Sequence, residues 1–275
     1  MVSRNLPDLI DRVRGSVVQI VVGPKDPNAE VPADLGLQCF IRKECVIGTG
    51  FFVNTDGDVV TASHVASDAA KVIARLASRN LEAIALILAM YPNSEGKSGG
   101  QIAWNEAGFQ VALQAEDKAH DIAVVSPLRG LNPFDRAKQV FNIGDQGFNL
   151  KAARLDVGRP RDGEDVFACG FPLGAEALTT TIGHVATSWG KENLHAARES
   201  GISEESDVYR LDLRANFGNS GGPVFRNSDQ SVIGITVEVT PGIGGTAVVV
   251  PSRYIADLLK KNNIRWSSSP SPSPN

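Results

Sequence analysis

In Asn216-Phe217-Gly218-Asn219-Ser220-Gly221-Gly222-Pro223 a single serine is set between glycines, and no other feature constrains the chain as much. Glycine adopts backbone conformations closed to residues with a Cβ, so such a run lets main-chain N–H groups curl around one point. The octapeptide reads as a nucleophile turn. A serine hydroxyl is a weak nucleophile near neutral pH; it needs a base, a group that orients the base, and donors for the charge that forms. Two upstream segments hold the residue types for the first two roles. The apolar run Val59-Val60-Thr61-Ala62-Ser63-His64-Val65 carries a histidine at its end, and Asp121 opens the run Ile122-Ala123-Val124-Val125. Any fold this chain adopts must bring three distant segments to one place.

The rest of the sequence favours strands. Ser16 to Val22, Leu37 to Arg42, Gly48 to Val53 and Asp58 to Ala62 are rich in β-branched and aromatic residues, with Asn54-Thr55-Asp56-Gly57 as a turn between the last two. Ser67 to Ala77 has helical spacing of Ala70, Ile73, Ala74 and Ala77. Ala83 to Met90 fits a strand or a helix, and Pro92 to Gly100 consists almost wholly of loop formers, which predicts an exposed excursion. Ser126 to Asp165, rich in proline, glycine and charge, predicts a boundary between two lobes. Beyond it, Val166 to Gly170, Thr181 to Trp189, Val208 to Leu213, Pro223 to Arg226, Val232 to Thr240 and Thr246 to Val250 suit a second antiparallel barrel. Ser252 reads as the N-cap of a closing helix with Ile255, Leu258 and Leu259 on its apolar face and Lys260 and Lys261 at its C-terminal end. The tail Ser267 to Asn275 has no apolar residue and is expected to be disordered. The division expected is an N-terminal segment 1–15, a first lobe 16–135 holding His64 and Asp121, a second lobe 136–265 holding Ser220, and a tail 266–275.

The chain order His64, Asp121, Ser220 is that of the chymotrypsin-type triad and differs from the subtilisin and α/β-hydrolase orders. Together with Ser16-Val17-Val18-Gln19-Ile20, Gly48-Thr49-Gly50-Phe51-Phe52-Val53, Asp121-Ile122-Ala123-Val124, Gly170-Phe171-Pro172-Leu173-Gly174, Val232-Ile233-Gly234-Ile235 and Pro251-Ser252, these motifs make the sequence similar to trypsin-like serine peptidases of the HtrA/Deg type. The resemblance implies an all-β fold of two antiparallel six-stranded barrels, a cleft between them and a C-terminal helix. It implies a His64, Asp121, Ser220 triad that hydrolyses peptide bonds of unfolded or damaged proteins through an acyl-enzyme. It implies an oxyanion hole at Gly218 and Ser220 with Asn219 beside them, a primary pocket along Arg214, Ala215 and Phe217, and a substrate-pairing strand at Ile235, Thr236 and Val237. No acidic residue stands in the pocket stretch, so a small or medium apolar residue before the cut is expected. A regulatory loop is implied between Trp189 and Asp207, and a trimer is common in such proteins. Many of them carry a PDZ module after the closing helix, and none is expected from this sequence. Two other functions fit the same residues: a processing protease dedicated to one partner in a stress or defence system, and a latent peptide-binding or chaperone-like module.

Composition narrows the remaining choices. A net charge of −4 argues against a protein that tracks a nucleic-acid backbone. Charged residues interrupt the N-terminus from Arg4 to Arg14, so no signal-peptide core is read there, and no apolar stretch approaches a membrane span. These features predict a cytoplasmic protein without membrane partners. The three cysteines, Cys39, Cys45 and Cys169, match no zinc spacing and read as reduced thiols. His120, His184 and His195 have no paired ligands. Neither a metal nor a cofactor is expected, and the partner expected is a protein or peptide substrate.

Overall fold

A computed structural model describes residues 5–26, 29, 45–98, 101–128, 151–172, 177–239 and 246–268. Short antiparallel strands dominate. The first barrel is built from β1 (Val17–Pro24), β2 (Cys45–Phe52), β3 (Val59–Thr61), β4 (Ala83–Ser98), β5 (Gln101–Asp117) and β6 (Ile122–Pro127), closed in the order β1-β2-β3-β6-β5-β4. After β6 come a short β7 (Arg154–Leu155), then β8 (Asp165–Gly170), β9 (Thr179–Glu192), β10 (Ser206–Asp212), β11 (Pro223–Arg226), β12 (Val232–Val239), β13 (Thr246–Pro251) and β14 (Ser267–Ser268). The order β11-β8-β9-β10-β13-β12 closes on itself through β11–β12 pairing, which makes the second six-stranded barrel. The expected pair of barrels is present. To it are added β7 and β14, which run parallel to their neighbours at the β12 edge.

Among the described residues four helices accompany the barrels: α1 (Leu6–Arg14), α2 (Ser63–Ala77), α3 (His195–Glu199) and α4 (Ser252–Lys261). Every residue of β1 is buried, because its inner face lines the barrel while α2 covers part of the outside. Val22, Cys45, Ala69 and Leu76 form that outer contact. The main core is continuous across both barrels, running from Phe51 and Phe52 through Phe167, Phe171 and Phe225 to Leu258 and Leu259 of α4. The rings of Phe167 and Phe225 stack with centroids 5.2 Å apart. α1 adds Leu9 and Val13 to the buried residues.

Several local expectations are corrected. Pro92 does not open a loop: β4 extends to Ser98 and pairs with β5 as far as Ser98↔Gln101, with a shift in register between Pro92 and Lys97, while Gly99 and Gly100 lie outside the described residues. Pairing of β4 with β1 stops at Ala89, so Pro92 lies in a two-stranded ribbon where a missing N–H is tolerated. Ser252 is the first helical residue rather than the N-cap; Pro251 holds the cap position. The Ser252 hydroxyl instead donates to the Val232 carbonyl at 2.6 Å and pins α4 to β12. Ser267 and Ser268, expected to be disordered, pair with Arg154 and Leu155. Cys45 is disulfide-bonded, not reduced. Cys169 is free, as expected, and is buried, while Cys39 and the strand expected at Leu37 to Arg42 lie outside the described residues. No helix among the described residues is long and apolar enough to cross a membrane.

Candidate active site

Asp121 and His64 meet in the first barrel. A tight turn, residues 118–121, links β5 to β6, and Asp121 takes φ 53° in it, a left-handed conformation that aspartate tolerates better than most residues. The carboxylate is fully buried. One oxygen, Oδ1, accepts the His64 backbone N–H at 2.9 Å, and the other, Oδ2, lies 2.7 Å from His64 Nδ1. His64 is the second residue of α2, where the first N–H groups of a helix have no partner inside it, and α2 has no side-chain cap of its own. Asp121 therefore serves as that cap from a distance while it aligns the imidazole. Burial pulls the His64 pKa down, but the hydrogen bond and charge of Asp121, with smaller pulls from Asp68 and Glu238, outweigh it and leave the pKa raised above 6.5.

Ser220 sits in two successive turns of the second barrel. Asn219 N–H bonds to Asn216 C=O at 3.0 Å, and Gly222 N–H to Asn219 C=O at 2.8 Å. The third residue of each turn is a glycine with positive φ, Gly218 at 95° and Gly221 at 80°, the signature of type II geometry. In such a turn the N–H groups of the two central residues are not used by the turn's own bond. Gly218 is central in the first and Ser220 in the second, and neither N–H donates to any group among the described residues.

The serine turns dock on β2 and on the end of β3 that leads to His64. Thr49 N–H in β2 donates to the Ser220 carbonyl at 2.9 Å. A Cβ added to Gly221 would lie 2.7 Å from the Ala62 nitrogen, which shows how closely this turn approaches the entry to α2. The half-buried Ser220 hydroxyl shares no hydrogen bond with His64 among the described residues. Such bonds in substrate-free enzymes are commonly long and tighten on binding.

The other residues singled out by sequence divide by exposure. Arg214 is exposed, Ala215 is buried, Phe217 is 77% exposed beside the serine turns, and Asn219 is buried. Ile235 pairs with Pro223, and Thr236 gives both backbone groups to the serine turns: its carbonyl accepts from Gly221 at 2.7 Å and its N–H donates to Gly222 at 2.9 Å. Val237 falls at a bulge in the β12–β13 register, past the end of β11 pairing.

α3 stands at the same site, inside the stretch expected to be regulatory. The His195 ring is 6.4 Å from the His64 ring, its backbone N–H donates to Glu238 Oε1 at 2.5 Å, and Lys71 reaches Glu199 at 3.7 Å. Nothing in the sequence pattern had marked Glu238, and Thr49 stood in a recognised motif without a role of its own. Both point into contacts made only when distant segments fold together. His120 and His184 pair with Asp117 and Asp165 at 2.7 and 2.8 Å. Among the described residues no group of three or more histidine, cysteine or acidic side chains is placed to hold a metal.

Residues 48–235 match the trypsin-like peptidase domain, and the chain belongs to this family of serine peptidases. It is 28% identical over 229 residues to a probable periplasmic serine endoprotease, DegP-like, of Chlamydia pneumoniae, a match covering 81% of this chain and 36% of that protein. With the mitochondrial serine protease HTRA2 of Bos taurus it shares 27% identity over 271 residues, covering 94% of this chain and 44% of the relative. The chain thus spans less than half the length of these relatives. Among solved structures, the HtrA-type protease AlgW with decapeptide has the same fold at a TM-score of 0.60 and 18% identity, over 94% of this chain and 68% of that one. The active form of the Rv3671c protease from M. tuberculosis gives 0.57 and 18%, over 95% and 86%.

Proposed function

We propose that the chain is a serine endopeptidase in which Ser220 is the nucleophile, His64 the general base and Asp121 the residue that orients the imidazole. The 2.7 Å contact between His64 Nδ1 and buried Asp121 carries this reading, because it fixes which imidazole nitrogen is left to take a proton. His64 Nε2 accepts the Ser220 proton as Oγ attacks a peptide carbonyl; Asp121 holds the imidazolium that results. The oxyanion is met by the N–H groups of Gly218 and Ser220, with Asn219 between them. His64 then protonates the leaving amine, and water resolves the acyl-enzyme by the reverse sequence. Each oxyanion donor supplies on the order of 3 kcal/mol of transition-state stabilisation.

The substrate is an extended protein or peptide segment that pairs with β12 from Val237 onward, since Ile235 and Thr236 are already paired. Phe217, exposed at the turn, and buried Ala215 support an apolar preference beside the cut. Unfolded chains suit a site that reads backbone, as the resemblance to HtrA-type proteases also suggests. The Cys45 disulfide supports an oxidising compartment over the cytoplasm. Unfolded casein is expected to be cut by the wild type and left intact by Ser220→Ala. Sequenced products should end in small or medium apolar residues; dominant cleavage after Lys or Arg would refute the specificity, and intact casein would favour a dedicated processing enzyme.

A further inference from the structure

The serine turns belong to the second barrel, yet they are held from the first by one side chain. Thr49 in β2 is fully buried, and its hydroxyl donates to the Gly218 carbonyl at 2.6 Å while accepting the Phe171 backbone N–H at 3.0 Å. Its own N–H donates to the Ser220 carbonyl at 2.9 Å, and its carbonyl accepts the Thr61 hydroxyl at 2.8 Å. One residue thus bonds to the carbonyls of both residues whose N–H groups stand free. The fit leaves little slack: a Cβ on Gly221 would come within 2.3 Å of the Thr49 carbonyl oxygen, and one on Gly222 within 3.2 Å of its Cγ2.

We propose that Thr49 is the positioning residue of the oxyanion hole, an assignment that rests on the reading of Gly218 and Ser220 as its donors. The reason lies in the geometry of a peptide unit. The bond from Thr49 Oγ1 fixes the Gly218 carbonyl, the bond from Thr49 N–H fixes the Ser220 carbonyl, and planar peptides leave few torsions by which the intervening backbone can turn. The type II turn that keeps the Gly218 N–H outward differs from type I chiefly by rotation of one peptide, for which glycine offers little resistance. That peptide is Phe217–Gly218; the clasp holds the next one, Gly218–Asn219, and so sets the position of the Gly218 Cα from which the N–H is aimed. Phe171 N–H, held by the same hydroxyl, joins the end of β8 to the turn, so the donor geometry depends on the two barrels being seated together.

The hydroxyl is isolated by two matched pairs, wild type against Thr49→Val and Thr49→Ser against Thr49→Ala. Within each pair only the hydroxyl is lost or replaced, and the second pair serves if the valine variant does not fold. Steady-state cleavage of a peptide substrate is followed, with the rate at which a fluorophosphonate modifies Ser220 and the thermal midpoint of each protein. Loss of the hydroxyl is expected to lower kcat on the order of 10- to 100-fold, short of or equal to the loss of a whole oxyanion donor, with KM changed by less than about threefold. Thr49→Ser should recover most of the rate, and the pH at which labelling is half-maximal should stay put, because His64 and Asp121 are untouched. A purely structural role for Thr49 would lower the thermal midpoint and leave kcat of the folded protein unchanged, and would overturn the proposal. Equal kcat in Thr49→Ser and Thr49→Ala would overturn it too. A wild type modified at Ser220 alongside a fully active Thr49→Val refutes the clasp alone; a wild type that is not modified at Ser220 refutes the site reading and the clasp with it.

Discussion

Gly221 and Gly163 share nearly the same backbone, with φ +80° and +82°, and differ only in what surrounds them. A Cβ at Gly163 would meet nothing within 4 Å; at Gly221 it would meet Thr61 Oγ1 at 2.2 Å, the Thr49 carbonyl oxygen at 2.3 Å and the Ala62 nitrogen at 2.7 Å. Two of those three atoms are backbone of the first barrel and cannot swing aside. Alanine in a left-handed conformation costs about 1–2 kcal/mol wherever it occurs. Forcing an extra carbon into packed surroundings adds about 1–3 kcal/mol. Gly163→Ala should therefore cost about 1–2 kcal/mol and Gly221→Ala about 2–5 kcal/mol, the difference being the clash between barrels. Urea unfolding of the three proteins measures this, provided the slope with denaturant is unchanged. The midpoint of Gly221→Ala should fall two to three times as far as that of Gly163→Ala. Equal shifts would mean that the serine turns do not dock against β2 and the entry to α2, and would refute the cleft as described.

Proton linkage at His64 gives opposite slopes for activity and stability. Activity needs the neutral imidazole, so Ser220 labelling should rise with pH through a midpoint above 6.5, given the raised pKa. Asp121→Asn should lower both that midpoint and the rate, the latter by about 10⁴-fold. Because the folded-state pKa is raised, the pair's contribution to stability is full below 6.5 and fades as pH rises through the raised value. Asp121→Asn should thus destabilise the fold more at pH 6 than at pH 9; the reverse order in denaturant titrations would contradict the pairing. Burial pushes the Cys169 thiol up to about 11, with the Thr180 hydroxyl offsetting part of the rise. Iodoacetamide at pH 8 should leave Cys169 unmodified in the folded protein and alkylate it in urea, as peptide mapping would show. Alkylation without denaturant would contradict the packing around it.

The three segments that carry the chemistry were legible because each is local. A glycine-flanked serine, a histidine at the end of an apolar run and an aspartate at the start of another need no knowledge of the fold. Most strands were legible for the same reason, through β-branched runs bounded by turn residues. Errors arose where the deciding partner was remote. Composition marked Pro92 to Gly100 as loop, while pairing with β5 carries β4 to Ser98. Ser252 had the chemistry of an N-cap, yet the Val232 carbonyl captures its hydroxyl. α2 begins at Ser63, earlier than its apolar spacing showed, because Asp121 caps it from 57 residues away. Thr49 was part of a recognised motif but had no visible role, since its partner Gly218 is 169 residues distant.

The most direct test of the central claim is to treat the purified protein with a fluorophosphonate and map the adduct by mass spectrometry, with Ser220→Ala and His64→Ala alongside. The geometry of His64, Asp121 and the serine turns predicts a single adduct on Ser220, lost in both variants. Absence of any adduct on a protein shown to be folded, or labelling of Ser220 that persists in His64→Ala at the wild-type rate, would contradict it.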